Sequence, residues 1–167
     1  MLNITFYKNE DGSMTFVTKD GLGREKALTF SLQQALTAPI PSLITLEAEF
    51  SYLLSLVERE ISSIEVALKR KKIEVVEDLM RRNTKLSMTA AKDMVYSDDT
   101  FYSLSETYNE YAFYSMVLRN IIRSIEQIIE YNYKTSYYDH NASRLSYTEP
   151  SPKREELLKL LNGQDEE

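Results

Sequence analysis

The sequence predicts a mainly α protein: two long antiparallel amphipathic helices, coiled-coil-like, with a small N-terminal β-hairpin or three-stranded meander and a short C-terminal helix. Three observations carry this. Gly and Pro are scarce, with four of each in 167 residues, and charged residues are abundant, a balance typical of helices. From Leu43 to about Asn83 no Gly or Pro interrupts an apolar stripe. A second stripe, from Phe101 onward, alternates steps of three and four without an error, the spacing that keeps side chains on one helical face.

The first 38 residues read as a separate β-rich segment. Leu2, Ile4 and Phe6 alternate with Asn3, Thr5 and Tyr7, the period of a strand with one buried face. Asn9-Glu10-Asp11-Gly12 is a turn signal, and Met14 to Thr18 alternates again, so a hairpin is expected. After a second turn at Asp20-Gly21-Leu22-Gly23, Ala27 to Leu32 fits a third strand, with Leu28, Phe30 and Leu32 on one face, or the start of a helix. Pro39-Ile40-Pro41 is expected to close the segment, since proline disrupts the interior of either element.

A helical core over residues 42–138 follows. Ser42 stands where a cap belongs, and Leu46, Phe50, Leu53, Val57, Ile61, Ile64 and Leu68 form one stripe. The stripe is interrupted by Lys69-Arg70-Lys71-Lys72. At about 100° per residue these four cations go most of the way round the helix, so some must approach its seam. A break at Ser87 to Thr89, a short helix over Ala90 to Tyr96 and a helix start at Ser97-Asp98-Asp99 lead into the second long helix. Its seam is Phe101, Leu104, Tyr108, Tyr111, Ser115, Leu118, Ile122, Ile125, Ile129 and Asn132. From it Phe101, Leu104, Tyr108, Tyr111, Leu118, Ile122, Ile125 and Ile129 are expected to form an oligomer interface, because a small β-segment is too short to cover two such seams. Residues 139–167 read as a polar linker and an amphipathic tail helix, capped by Ser151 and Pro152 and ended by Gly163. Its Leu157, Leu158, Leu160 and Leu161 would dock a partner or a neighbouring subunit.

The residues point to a binding or assembly protein, not an enzyme. There is one His and no Cys, so neither a zinc site nor a Cys/His pair can be built, and no cofactor is implied. Gly21-Leu22-Gly23 lacks the residues of a phosphate loop. Glu58, Glu60, Glu65, Asp98 and Asp99 lack the inward i,i+3 or i,i+4 spacing of a helix-borne metal site. Without Cys, without an apolar run near 20 residues and without a leader pattern, a cytoplasmic location is expected.

The charge distribution is informative. The chain totals −6, which opposes phosphate binding. Between Lys69 and Lys92, however, eight cations face three carboxylates, a local +5 that leaves −11 for the rest. Lys69, Arg70, Lys71, Lys72, Arg81, Arg82, Lys85 and Lys92 are therefore candidate nucleic-acid contacts. Tyr96, Tyr102, Tyr108 and Tyr111 follow them, as core residues or as rings on which bases stack.

Three pieces resemble the tailed-phage recombination mediators of the UvsY type. The first is Leu46-Glu47-Ala48, reaching Ser62-Ser63-Ile64 and Leu68-Lys69-Arg70-Lys71-Lys72. The second is Ala91-Lys92-Asp93-Met94-Val95-Tyr96 before Ser97-Asp98-Asp99. The third is Tyr108 and Tyr111 followed by Leu118-Arg119-Asn120-Ile121-Ile122-Arg123-Ser124-Ile125. The resemblance spans about residues 43–133. It implies a non-enzymatic, ring-like homo-oligomer that binds single-stranded DNA through Lys69 to Lys72. Such a protein helps load a RecA-like recombinase onto strands coated by single-strand binding protein. The alternative is a phage-type structural, adaptor or inhibitor protein that oligomerises through its helices and binds a protein partner without nucleic acid.

Overall fold

A computed structural model describes residues 2–19 and 23–146, with side chains described through Ser136. The tail with Leu157, Leu158, Leu160 and Leu161 lies outside the described residues. The chain divides into one compact unit through Ile128 and a second from Ile129.

The first unit opens with three strands, β1 (Asn3–Lys8), β2 (Met14–Lys19) and β3 (Glu25–Phe30), in an antiparallel meander of order β1-β2-β3. Asn9 and Gly12 close the first turn: the Asn9 N–H donates to the Ser13 carbonyl at 2.9 Å, and the Gly12 N–H to the Asn9 carbonyl at 3.0 Å. Gly12 has φ of 79°, a left-handed conformation that glycine adopts without a Cβ clash. The register sets Phe6, Phe16 and Leu28 in one row across the sheet. Since side chains alternate between faces, that row and Phe30 share the side that is buried.

Where the sequence left strand and helix open at Ala27 to Leu32, both occur in turn. β3 ends at Phe30, and Ser31 caps a short helix, α1 (Leu32–Thr37). Leu32 thus leaves the strand face and is exposed, unlike Leu28 and Phe30.

The first long helix, α2 (Ile40–Arg82), begins earlier than expected. Pro39 is its cap residue and Pro41 sits in the first turn, where a missing N–H costs nothing and a fixed φ suits the helix. Ser42 is inside the helix, with its N–H on the Pro39 carbonyl at 3.0 Å. The expected stripe is used: Phe50, Leu53, Val57 and Ile64 are buried. After α3 (Met88–Met94), capped by Ser87, and a 3₁₀ turn at Val95–Ser97 comes the second long helix, α4 (Asp99–Ser146). The Phe101 N–H donates to the Asp98 carboxylate at 2.8 Å, an N-cap in geometry. Asp98→Ala is expected to cost about 1 kcal/mol in urea unfolding, with Asp98→Asn close to wild type.

α2 and α4 run antiparallel and pack on each other. Arg119 meets Glu58 at 2.5 Å, and seven residues further along α2 the Tyr108 hydroxyl donates to Glu65 at 3.2 Å. The sheet lies against both helices: Phe16 is fully buried, edge-on to Phe50 and to Tyr114, with ring centres 6.5 and 6.1 Å apart. A second apolar cluster ties the far end of α2 to the connection and to the start of α4, through Val75, Val76, Ala91, Val95 and Phe101.

Within the second unit the backbone stays helical to Ser146, past the linker start expected at Asp139. The reason is local: no Gly or Pro stands between Asp139 and Glu149 to stop a helix. Lys134 and Glu130 pair there at 2.6 Å.

Candidate nucleic-acid interface

The expected oligomer seam of α4 is spent largely inside the chain. Phe101, Tyr111, Leu118 and Ile125 are buried by this chain alone, and Leu104, Tyr108, Ile122 and Ile129 are half-buried. The first four are therefore core residues and offer no surface to another copy. Tyr114, Ile121 and Ile128, off the strict seam, are buried as well. At Tyr114 the cover comes from the sheet, as the Phe6–Tyr114 and Phe16–Tyr114 ring pairs show.

Buried tyrosines keep a polar partner, as their hydroxyls require. Tyr111 donates to the Leu2 carbonyl, tying the start of β1 to α4, and Tyr114 donates to Glu110. Burial, with the charges of Glu60 and Glu110, raises the Tyr111 phenol. Burial and then the Glu110 hydrogen bond raise Tyr114 further. A phenol whose pKa is raised by folding stabilises the fold fully below the ordinary value near 10.0, and that stability is lost as pH climbs through the folded value. Stability should therefore begin to fall above pH 10. In a phenolate absorbance titration Tyr114→Phe should remove a late-titrating component and leave the early ones.

The basic stretch occupies the last turns of α2 and the connection to α4. Lys69, Arg70, Arg81, Arg82, Lys85 and Lys92 are exposed, while Lys71 and Lys72 are half-buried. Lys72 stands four residues from both Leu68 and Val76, on the buried side of the helix, which accounts for its partial burial. Two of the eight are already occupied. Lys71 meets Glu74 at 3.1 Å, and that bond, with the charges of Asp98 and Asp78 nearby, holds its ammonium above the ordinary lysine value. Arg82 meets Asp78 at 2.7 Å. Both are i,i+3 or i,i+4 pairs, a spacing legible in the sequence.

Among the described residues Lys69, Arg70, Lys72, Arg81, Lys85 and Lys92 have no acidic partner; elsewhere Lys19, Lys26 and Arg119 are paired, and Lys8, Arg59 and Arg123 stand unpaired but far apart in sequence. Unneutralised positive charge is thus concentrated where α2 ends and α3 begins. Beside it an open cleft of about 500 Å³ is lined by Lys71, Asp78, Arg81, Arg82, Met94 and Asp98, with both signs of charge. Of the four tyrosines that could stack on bases, Tyr108 and Tyr111 are held by Glu65 and Leu2. Tyr96 and Tyr102 are exposed, Tyr96 edge-on to Phe101 at 5.5 Å.

The carboxylates with any prospect of chemistry have structural partners: Glu58 holds Arg119, Glu65 accepts from Tyr108, and Asp98 caps α4. Among the described residues no group of three His, Asp or Glu is placed to hold a metal ion. Among the described residues one helix, α2, is long and apolar enough by length and composition to cross a membrane, although Phe50, Leu53 and Val57 from it are buried in the protein's core. No family model, curated protein or solved structure matches the chain.

Proposed function

We propose that the protein is a non-enzymatic, self-associating single-stranded DNA-binding protein of the host cytoplasm, with the role of a recombination mediator. In that role it helps load a RecA-like recombinase onto strands covered by single-strand binding protein. The observation that carries the DNA reading is the group of unpaired cations from the last turns of α2 through α3: Lys69, Arg70, Lys72, Arg81, Lys85 and Lys92. Phosphates recruit such cations by releasing counterions, and repetition of a small basic patch over several copies offsets the acidity of each. Exposed Tyr96 and Tyr102 supply rings for sequence-tolerant stacking. Lys71 and Arg82 act mainly within α2, on Glu74 and Asp78.

The experiment is binding of a labelled single-stranded oligonucleotide at two salt concentrations, with a duplex of the same length as control. The expected result is binding that falls steeply with salt and favours the single strand. Absence of binding at low salt would leave the second reading, an oligomeric adaptor for a protein partner. That alternative draws on the exposed apolar residues of α1 and α2, among them Leu32, Leu36 and Ile44.

A further inference from the structure

α2 buries one face and leaves the opposite one uncovered. On the outer side Ile44, Tyr52, Val66 and Ile73 are 47, 67, 48 and 60% exposed. At about 100° per residue they share one sector of the helix, opposite Val57 and Ile64. The apolar window that makes α2 long enough to span a bilayer is only 22% buried. Surface of this kind is normally covered in the working protein.

The spacing of the four residues indicates what covers them. Tyr52 and Val66 stand seven residues before and after Arg59, and Ile44 and Ile73 stand fifteen before and fourteen after. The apolar pattern is therefore nearly symmetric about the middle of the helix. Charge is distributed in the opposite way: Glu47 and Glu49 lie in the first half, Lys69 and Arg70 in the second. A copy of α2 laid antiparallel, with Glu58 and Arg59 at the centre, sets Tyr52 beside Val66 and Ile44 beside Ile73. The same register sets Glu47 and Glu49 level with Lys69 and Arg70. Glu49 already meets Lys26 at 2.9 Å, so Glu47 carries most of this complementarity. A parallel copy would instead set like charges level with each other at both ends. Small exposed residues, Ala48, Ser55 and Ser62, occupy the line between the apolar ones and let two backbones approach closely.

We infer that a second copy of this chain docks on the outer face of α2, antiparallel and two-fold symmetric about Glu58 and Arg59. This rests on the reading that the protein self-associates and names the surface that does it. It is isologous, each copy offering the same patch, as two-fold contacts require. The apolar pairs supply cohesion; of the charges, Arg59 lies at the centre, level with Glu58 of the other copy, and Glu47 with Lys69 and Arg70 lie toward the ends, where they set direction more than strength. Lys69 and Arg70 then lie at the edge of the pair, and Arg81, Lys85 and Lys92 lie beyond it.

The chain has no cysteine, so cross-linking can be read cleanly. Ser55→Cys and Ser62→Cys proteins, each labelled with a different tag, are oxidised mildly alone and mixed. In the antiparallel register residue 55 of one copy faces residue 62 of the other, so the mixture should form at least tenfold more disulfide dimer than either variant alone. Within one chain the two positions are two helical turns apart, about 10 Å, too far for a disulfide. In sedimentation equilibrium the wild type should exceed 19.4 kDa. Tyr52→Glu with Val66→Glu should weaken association at least tenfold with helical content unchanged.

Equal cross-linking in mixture and single variants overturns the register. A self-associating wild type matched by the double Glu variant overturns this face while leaving self-association standing. A monomeric wild type overturns both. A wild type that is monomeric yet floats with phosphatidylcholine–phosphatidylglycerol vesicles assigns the face to lipid instead.

Discussion

Phe16→Ala is expected to destabilise the protein by about 3–5 kcal/mol, the largest effect of any single substitution in the sheet. Phe16 is fully buried and touches three rings: Phe6 at 5.0 Å, Phe50 at 6.5 Å and Tyr114 at 6.1 Å between centres. These belong to β1, α2 and α4, so one side chain links three elements of the first unit. Removing it costs the transfer free energy of the ring plus the cavity left behind, and the surrounding elements cannot all collapse inward. Against a total stability of about 5–15 kcal/mol for a domain, that is a third or more. Urea unfolding followed by far-UV circular dichroism measures it. Tyr7→Ala is the control, since Tyr7 is on the other face of the same sheet and 51% exposed; it should shift stability by no more than about 0.5 kcal/mol. A Phe16→Ala midpoint within that range would mean that the sheet is not packed on the helices.

Replacing Arg81, Lys85 and Lys92 together by Ala is expected to weaken single-stranded DNA binding on the order of 10- to 100-fold at moderate salt and to flatten its salt dependence. Removing one cation from a phosphate should reduce the slope of log K against log salt by about 0.7, hence about 2 for three. These residues lie outside the proposed interface between copies, so oligomer mass should not change. Replacing Lys69, Arg70, Lys71 and Lys72 by Ala removes two further unpaired exposed cations, Lys69 and Arg70, which also border that interface. It should flatten the slope too, and comparison of the two variants in sedimentation equilibrium separates DNA binding from association between copies. Fluorescence anisotropy from low to moderate salt provides the readout. Parallel lines for wild type and both variants would remove the DNA role from this end of α2.

Much of the fold was legible because it depends on local periodicity. Alternation of two marked β1 and β2, the 3-and-4 rhythm marked α2 and α4, and Asp98 was already a helix start. These signals reflect backbone geometry, which any residue pair a few positions apart must obey. Boundaries were less legible. Pro39 and Pro41 read as a barrier, yet Pro41 serves the first turn of α2, and the helix of α4 continues past Asp139 because no residue before Pro150 stops it. Ser31 carried a cap signal for α1 that the strand pattern of Leu28 and Phe30 masked.

Which apolar residues are covered, and by what, was decided by tertiary structure. The sequence alone determined that α4 has a continuous apolar stripe and that cations gather between Lys69 and Lys92. It could not determine that Phe101, Tyr111, Leu118 and Ile125 would be buried within the chain, or that Tyr114 and Ile121 would join them. Periodicity specifies a face of a helix, whereas burial depends on the position of the sheet and of α2 around it. Nor did spacing reveal that the outer face of α2, with Tyr52 and Val66, remains open: a half-apolar face reads the same in sequence whether it is packed or exposed. The basic stretch was divided the same way, since Lys71 and Arg82 are held by Glu74 and Asp78 while Lys69, Arg70 and Arg81 extend into solvent. Composition fixes how much charge a segment carries, and three-dimensional proximity decides how much of it remains available to a partner.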